Sequence, residues 1–304
     1  MGVGVGDSAI LPGMSTASAK PRVAIVGAGN LAGALAESLR GAGYRIEQII
    51  SRDASASLRR ARRLAREVEA SAVTAAQARI RAEVVWLCIP DSAIRNAAQS
   101  LLRATEWKGK IALHSSGALT SDELAVLRKR GAAVASAHPL MTFVQSSRPA
   151  LAGVPFAIEG NPKAVRTARR IVQDLGGQAF SIRKQEKELY HAWGMFVSPL
   201  LTALLACSEE VAVAAGVNKR AARQRMLPIL RQTLDNYARL GAPESFSGPI
   251  ARGDVATVER HLKVLRRLRG ARELYIALAK VAMRYLPAKN RTALQAILKD
   301  RARK

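Results

Sequence analysis

Two cysteines, Cys88 and Cys207, are all that the 304-residue chain contains. Both lie in apolar segments, so no disulfide framework is implied, and a reducing, cytoplasmic setting fits. Aromatic residues make up only 4%, which leaves few of the stacking platforms that single-stranded nucleic acids require. Acidic residues are scarce as well: 23 Asp and Glu stand against 48 Lys and Arg, a formal charge of +25. A charge of that size is the footprint of a nucleic-acid binder. The arginines, however, are spread over many predicted helices, as in Arg59, Arg60, Arg62, Arg63 and Arg66, then Arg266, Arg267 and Arg269. They read as solvated helix faces, the lesser alternative being a field that attracts anionic cofactor and substrate, and nucleic acid is not the expected partner. Residues 1–19 carry no Lys or Arg and no sustained apolar core, so they do not form an export signal and read as a flexible tail, 1–20. The uncharged run 192–207 falls short of the roughly 18 apolar residues that a membrane span needs and is expected to be a buried core helix.

Apolar residues make up 49% of the chain, enough for a large core and two domains. The most informative stretch is Arg22-Val-Ala-Ile-Val-Gly27-Ala-Gly29-Asn30-Leu31-Ala32. Four consecutive apolar residues suit a parallel strand buried on both faces. Gly27 permits a tight turn, Gly29 lets backbone approach a pyrophosphate, and a small residue at 32 lets the next helix pack on the strand. The N–H groups of that helix, beginning at Asn30 and Leu31, then point at the phosphates. This is a dinucleotide site in its proper strand–turn–helix context; a glycine-rich turn that binds nothing is the competing reading. A second strand, Ile46–Ile50, ends in Ser51-Arg52-Asp53. A hydroxyl and a guanidinium suit the 2′-phosphate of NADP, whereas NAD sites place an acidic residue here. Asp53 is read as the cap of a helix starting near Ala54. NADP is therefore favoured over NAD.

Further strands are expected at 83–89, 110–113 and 132–137. Their ends place Ile89, Pro90 and Asp91, then Ser115 and Ser116, then His138, where ligands of open α/β sheets bind. Asp91 is either a cofactor neighbour or a helix cap. Two more strands, 155–158 and 178–182, flank a helix near 162–175 and close the first domain. The fold class is α/β: a Rossmann-type, mostly parallel sheet over 21–183, then an all-helical domain, 184–304, for substrate and dimerisation. One helical stripe carries His191, Ser198 and Thr202, with Lys187 a turn earlier and a kink expected at Pro199. Asp254 begins a helix bearing Thr257 and His261, as a ligand to substrate or as an N-cap. The last two helices are expected to be broken at Gly270 and Pro287.

Three motifs, His138-Pro139-Leu140 with Phe143, Tyr190-His191-Ala192, and Gly248-Pro-Ile-Ala-Arg252-Gly-Asp254 with Thr257 and His261, resemble one family. It is the Rossmann-like oxidoreductase branch of the 6-phosphogluconate dehydrogenase-like superfamily, whose relatives include pyrroline-5-carboxylate reductase and the β-hydroxyacid dehydrogenases. The resemblance covers about residues 22–287. It implies an NAD(P) domain, a helical C-terminal domain, a cleft between them and a homodimer. The chain has Ser198-Pro199 where the family's long helix usually reads on to an Asn, which sets it apart from β-hydroxyacid chemistry.

The expected activity is hydride transfer between NADPH and a small polar carbonyl or imine. His191 is the first candidate for general acid and His138 the second, because an imidazole titrates near working pH. Ser198 and Lys187 complete the catalytic set; Arg252, with Asp254 and His261, is assigned to substrate. No metal site is expected. The alternative is an NADP-binding sensor or scaffold without turnover.

Overall fold

A computed structural model describes residues 19–145 and 147–299. The expected N-terminal tail lies almost wholly outside them. The described chain forms two compact units that divide between Met195 and Phe196.

The first unit is built on an eight-stranded sheet. Its strands are β1 (Val23–Val26), β2 (Ile46–Ser51), β3 (Ser71–Thr74), β4 (Val84–Leu87), β5 (Ile111–His114), β6 (Ala133–Pro139), β7 (Pro155–Gly160) and β8 (Gln178–Ser181). They lie in the order β3-β2-β1-β4-β5-β6-β7-β8. All neighbours are parallel except β6 and β7, where His138 faces Ala157. The order reverses beside β1, which pairs with both β2 and β4; such a reversal leaves a crevice at the carboxyl ends of the strands.

Strand alternation sends side chains into two cores, one on each face. Val23, Ile25, Val84 and Trp86 point one way and meet Leu35 and Leu39 of α1 (Asn30–Gly41), Leu64 of α2 (Ser55–Glu67) and Ile171 of α5 (Pro162–Asp174). Ala24, Val26, Val85 and Leu87 point the other way and meet Ile94 of α3 (Asp91–Ser100) and Leu127 of α4 (Ala125–Arg128). Burying each large side chain contributes about 1.5–3 kcal/mol.

Several expectations are corrected. Strand β3, Ser-Ala-Val-Thr, is too short and polar for its hydrophobic pattern to reveal it; it exists because it pairs with β2. Strand β6 runs on through His138 and Pro139, because β7 supplies antiparallel partners. Asp53 is not a cap: α2 begins after Ala54, with no side-chain capping bond.

The second unit is helical. It contains α7 (Pro199–Ala214), α8 (Lys219–Ser245), α9 (Pro249–Arg252), α10 (Val255–Val264), α11 (Arg269–Tyr285) and α12 (Arg291–Leu298). Helix α6 (Lys187–Val197) precedes them and contains the division between units. Ser198 leaves helical geometry, at φ −130° and ψ −79°, so α6 and α7 are separate helices, as Pro199 demands. The expected stripe of His191, Ser198 and Thr202 is therefore interrupted, and Thr202 Oγ1 donates back to the Ser198 carbonyl at 3.1 Å. Helix α8 kinks at Gly241, whose φ is +77°. Gly270 falls inside the first turn of α11 rather than between helices; the break lies just before, at Leu268.

The core of this unit is small: Val258, Leu262, Ile276, Ala279, Met283, Leu294 and Leu298. Run 192–207 is not part of it. The stretch Lys184–Ala214 is long and apolar enough to cross a membrane by composition, with mean hydropathy 1.5, yet only 6% of its most apolar window is buried. The expectation of a buried core helix is thus overturned, because the packing of the chain leaves this apolar surface outward. Phe196 is 70% exposed and Ile229 68%.

Candidate functional site

The glycine turn is formed as its sequence requires. Gly27 has φ +115°, and a Cβ there would lie 2.3 Å from the Cys88 carbonyl oxygen. No L side chain fits that conformation and contact. Around Gly29 a Cβ would meet nothing within 4 Å, so the turn is open on that side. Ala32 is fully buried beneath the sheet. Gly29 is also the N-cap of α1 and offers no side chain to its first N–H groups. Asn30 Nδ2 donates to the Phe143 carbonyl at 3.2 Å, which ties the turn to the loop after β6. Leu31 packs at the edge of the core.

At the end of β2, Ser51 is buried and its Oγ has no hydrogen-bond partner among the described residues. Beside it, Arg52 Nε donates to Ser57 Oγ at 2.9 Å, which anchors the base of an otherwise exposed guanidinium. An orphaned hydroxyl, an anchored guanidinium and an open glycine turn fit a phosphate-bearing dinucleotide. Ser57 was not foreseen; its only signal is its position two residues into a basic helix.

At the end of β4, Ile89 is partly buried and its Cγ2 would meet a Cβ at Gly27. Pro90 is the N-cap of α3, and Asp91 is its first residue. Asp91 Oδ2 accepts from Ser116 Oγ at 2.7 Å, while Ser116 Oγ accepts from Leu119 N at 2.8 Å. Ser115 Oγ accepts from Trp86 Nε1 at 2.8 Å. The hydroxyls of Ser115 and Ser116 therefore help hold the loop after β5.

A second constellation lies between that loop, β6 and the start of α6. Lys187 is fully buried; its Nζ donates to the Ser116 carbonyl at 2.9 Å and to Ser136 Oγ at 2.7 Å. One turn later Tyr190 Oη lies 3.0 Å from His138 Nδ1. Lys187 and Tyr190 thus grip Ser136 and His138, which alternate on one face of β6. His191 follows, with its ring centroid 6.1 Å from that of His138. Both rings close on Gly117, where a Cβ would come within 2.6 Å of His191 Cδ2 and 2.9 Å of His138 Nε2. Gly117 and Tyr190 are members of this group that residue type alone did not mark as functional.

Burial sets its electrostatics. Desolvation, then the Lys187 charge, pulls His138 down to about 3. Desolvation pulls His114, whose Nε2 lies 2.9 Å from the Thr120 carbonyl, down to about 4. Lys187 falls to about 8 for the same reason, and the Tyr190 phenol rises to about 12. The site holds neutral imidazoles beside one buried ammonium.

In the second unit, Asp254 caps α10 by accepting from Thr257 N at 3.0 Å. His261 Nδ1 lies 3.1 Å from Tyr275 Oη. Arg252 ends α9, and Gly253 follows at φ +70°, with its carbonyl accepting from Asn290 Nδ2 at 2.9 Å. A Cβ at Gly253 would lie 2.7 Å from the Lys289 backbone. The Gly-Pro-Ile-Ala-Arg-Gly-Asp motif thus has a local folding role. Among the described residues, no group of three or more His, Cys, Asp or Glu is placed to hold a metal ion.

Residues 11–139 match the Rossmann-like domain, and residues 154–282 match a domain of unknown function, DUF2520. No curated protein matches the chain by sequence. Solved structures of the same fold include a Bacteroides fragilis protein proposed to be an NADP oxidoreductase, with TM-score 0.73 and 23% identity over 86% of this chain and 97% of that one. An imine reductase from Myxococcus stipitatus, solved with NADP+, has TM-score 0.61 and 14% identity over 92% of this chain and 100% of its own. A pyrroline-5-carboxylate reductase from Coxiella burnetii has TM-score 0.55 and 16% identity over 92% and 97%. The chain thus matches a Rossmann-like domain followed by a DUF2520 domain, and it shares the fold of these solved structures.

Proposed function

We propose that this protein is an NADPH-dependent oxidoreductase acting on a small polar carbonyl or imine. The observation that carries the reading is the open glycine turn at β1 beside the Ser51–Arg52 pair at the end of β2. Gly27 and Gly29 admit the pyrophosphate, the N-terminus of α1 receives it, and Arg52 binds the 2′-phosphate with Ser51 beside it. When bound, the cofactor supplies a hydride to the substrate carbon and leaves as NADP+. The chain's own residues orient the substrate and deliver the balancing proton. His191 is the proton donor in this reading, with His138 beside it, and Arg252 holds a substrate carboxylate. Lys187, committed to Ser116 and Ser136, positions α6.

A homodimer is the form that fits the exposed Phe196 and Ile229, since apolar surface of this kind marks an interaction face, and a cytoplasmic setting fits the two free cysteines. A binding-only sensor is the second reading, favoured by the helix break at Ser198-Pro199.

The deciding experiment is a titration of wild type and Arg52→Ala with NADPH and NADH. NADPH should bind far more tightly than NADH. Arg52→Ala should weaken NADPH by about 1.5–3 kcal/mol, the value of one charged hydrogen bond, and leave NADH nearly unchanged. Equal losses for both cofactors would remove the 2′-phosphate assignment.

A further inference from the structure

The two ring nitrogens of His138 have different surroundings. Nδ1 faces the Tyr190 hydroxyl at 3.0 Å. Nε2 lies beside the bare α-carbon of Gly117 and the His191 ring, with no hydrogen-bond partner among the described residues, and His138 is only partly buried. We propose that Tyr190 is a positioning residue that fixes His138 as its Nε2–H tautomer, so that His138 donates a hydrogen bond to the oxygen of an uncharged carbonyl substrate. This rests on the oxidoreductase reading above and narrows its substrate class.

The tautomer follows from satisfying every buried polar group. Tyr190 is 8% exposed, and its hydroxyl meets no acceptor among the described residues except His138 Nδ1. Were Nδ1 the donor, the phenol proton would be buried with nothing to receive it. With the phenol donating, both groups are satisfied and the single proton of the neutral ring sits on Nε2. The phenol keeps its proton, since burial raises it to about 12. The ring stays neutral because it is desolvated, and because the other groups acting on it, Lys187, His191 and His114, are all basic. Asp91 and Glu159, which hydrogen-bond to Ser116 and Ser121, act on Lys187, and no carboxylate among the described residues acts on His138.

That environment discriminates between substrates. A carbonyl oxygen offers lone pairs to Nε2–H. A protonated iminium offers none at its nitrogen, so it cannot accept that hydrogen bond.

The test is 15N NMR of the imidazoles in the full, cofactor-free chain, with His138 assigned by its loss in His138→Gln. Between about pH 5 and 8, where an ordinary histidine titrates, His138 should keep a protonated Nε2 and a bare Nδ1. Tyr190→Phe should release it into a mixture of tautomers; if that variant does not fold, 3-fluorotyrosine at position 190, a stronger donor of nearly the same shape, should move the Nδ1 signal. Acetone should shift the Nε2 signal and 1-pyrrolinium should not. An imidazolium or an Nδ1–H tautomer in the wild type overturns the proposal. So does a spectrum unmoved by acetone, or one moved by 1-pyrrolinium. Because these spectra need no cofactor, loss of the NADPH reading is seen separately, in the nucleotide titration.

Discussion

The two units bury apolar surface on different terms. In the first, the sheet is covered on both faces, and Trp86, Trp107 and Phe156 are all within 1% of full burial. In the second, seven residues form the core, while Phe196, Ile229, Leu234 and Tyr237 each remain more than half exposed. A mostly parallel sheet of this kind is covered on both faces by its crossover helices, so its unit completes its own core. A set of amphipathic and apolar helices can postpone part of its burial until a second surface arrives. The difference explains why the nucleotide turn and the His138–Tyr190–His191 group are rigidly framed within one unit, while the other offers surface.

The comparison is sharpened most by cutting into both cores. Trp86→Ala removes a fully buried indole and the donor to Ser115, and should cost about 3–5 kcal/mol in urea denaturation. Leu294→Ala, at the centre of the smaller core, should cost about 2–4 kcal/mol. Equal or reversed losses would break the contrast between units.

The exposed face comes next. Phe196→Glu combined with Ile229→Glu should leave the fold intact, because neither side chain is in a core. In the proposed homodimer it should raise the dissociation constant more than tenfold in analytical ultracentrifugation, about 1.4 kcal/mol or more. An unchanged association state would mean that these two side chains are not where copies meet.

Acid should weaken the first unit specifically. His114 and His138 are held neutral in the fold, down to about 4 and about 3, whereas an unfolded chain protonates them near 6.5. Between those values the unfolded state binds more protons, so stability falls as pH drops from about 6.5 toward 4. The slope should be on the order of 1.5–2.5 kcal/mol per pH unit, up to about 1.4 for each histidine, and His138→Gln should make it shallower. A urea midpoint independent of pH in that window would contradict neutral imidazoles.

The smallest effect belongs to the surface charges. Arg63 and Glu67 approach to 3.9 Å while largely exposed, so Arg63→Ala should change thermal stability by less than about 0.5 kcal/mol. A larger loss would mean that the basic face of α2 is structural rather than solvated.

Much of the molecule was legible before any coordinates. Gly27 announced the turn because its positive φ and close neighbours admit no other residue type, and Gly29 and Ala32 completed the pattern. The uninterrupted apolar run Val23 to Val26 announced a strand buried on both sides. The Ser198-Pro199 break followed from proline's missing N–H. Other features depended on partners distant in the chain. Ser71–Thr74 is a strand only because β2 lies beside it, and His138 belongs to a strand because β7 pairs with it. Lys187 reads in sequence as a member of the catalytic set, but its bonds to Ser116 and Ser136 join residues far apart in the chain and no local pattern announces them.

Local sequence thus determined the elements, the nucleotide turn and the residue types available for chemistry, since dihedral preference and hydrophobic period act over a few residues. Tertiary structure alone decided which histidine nitrogen meets a phenol, which lysine loses its water and which apolar helix stays exposed. Those outcomes depend on contacts made across dozens of residues, and no local pattern encodes them.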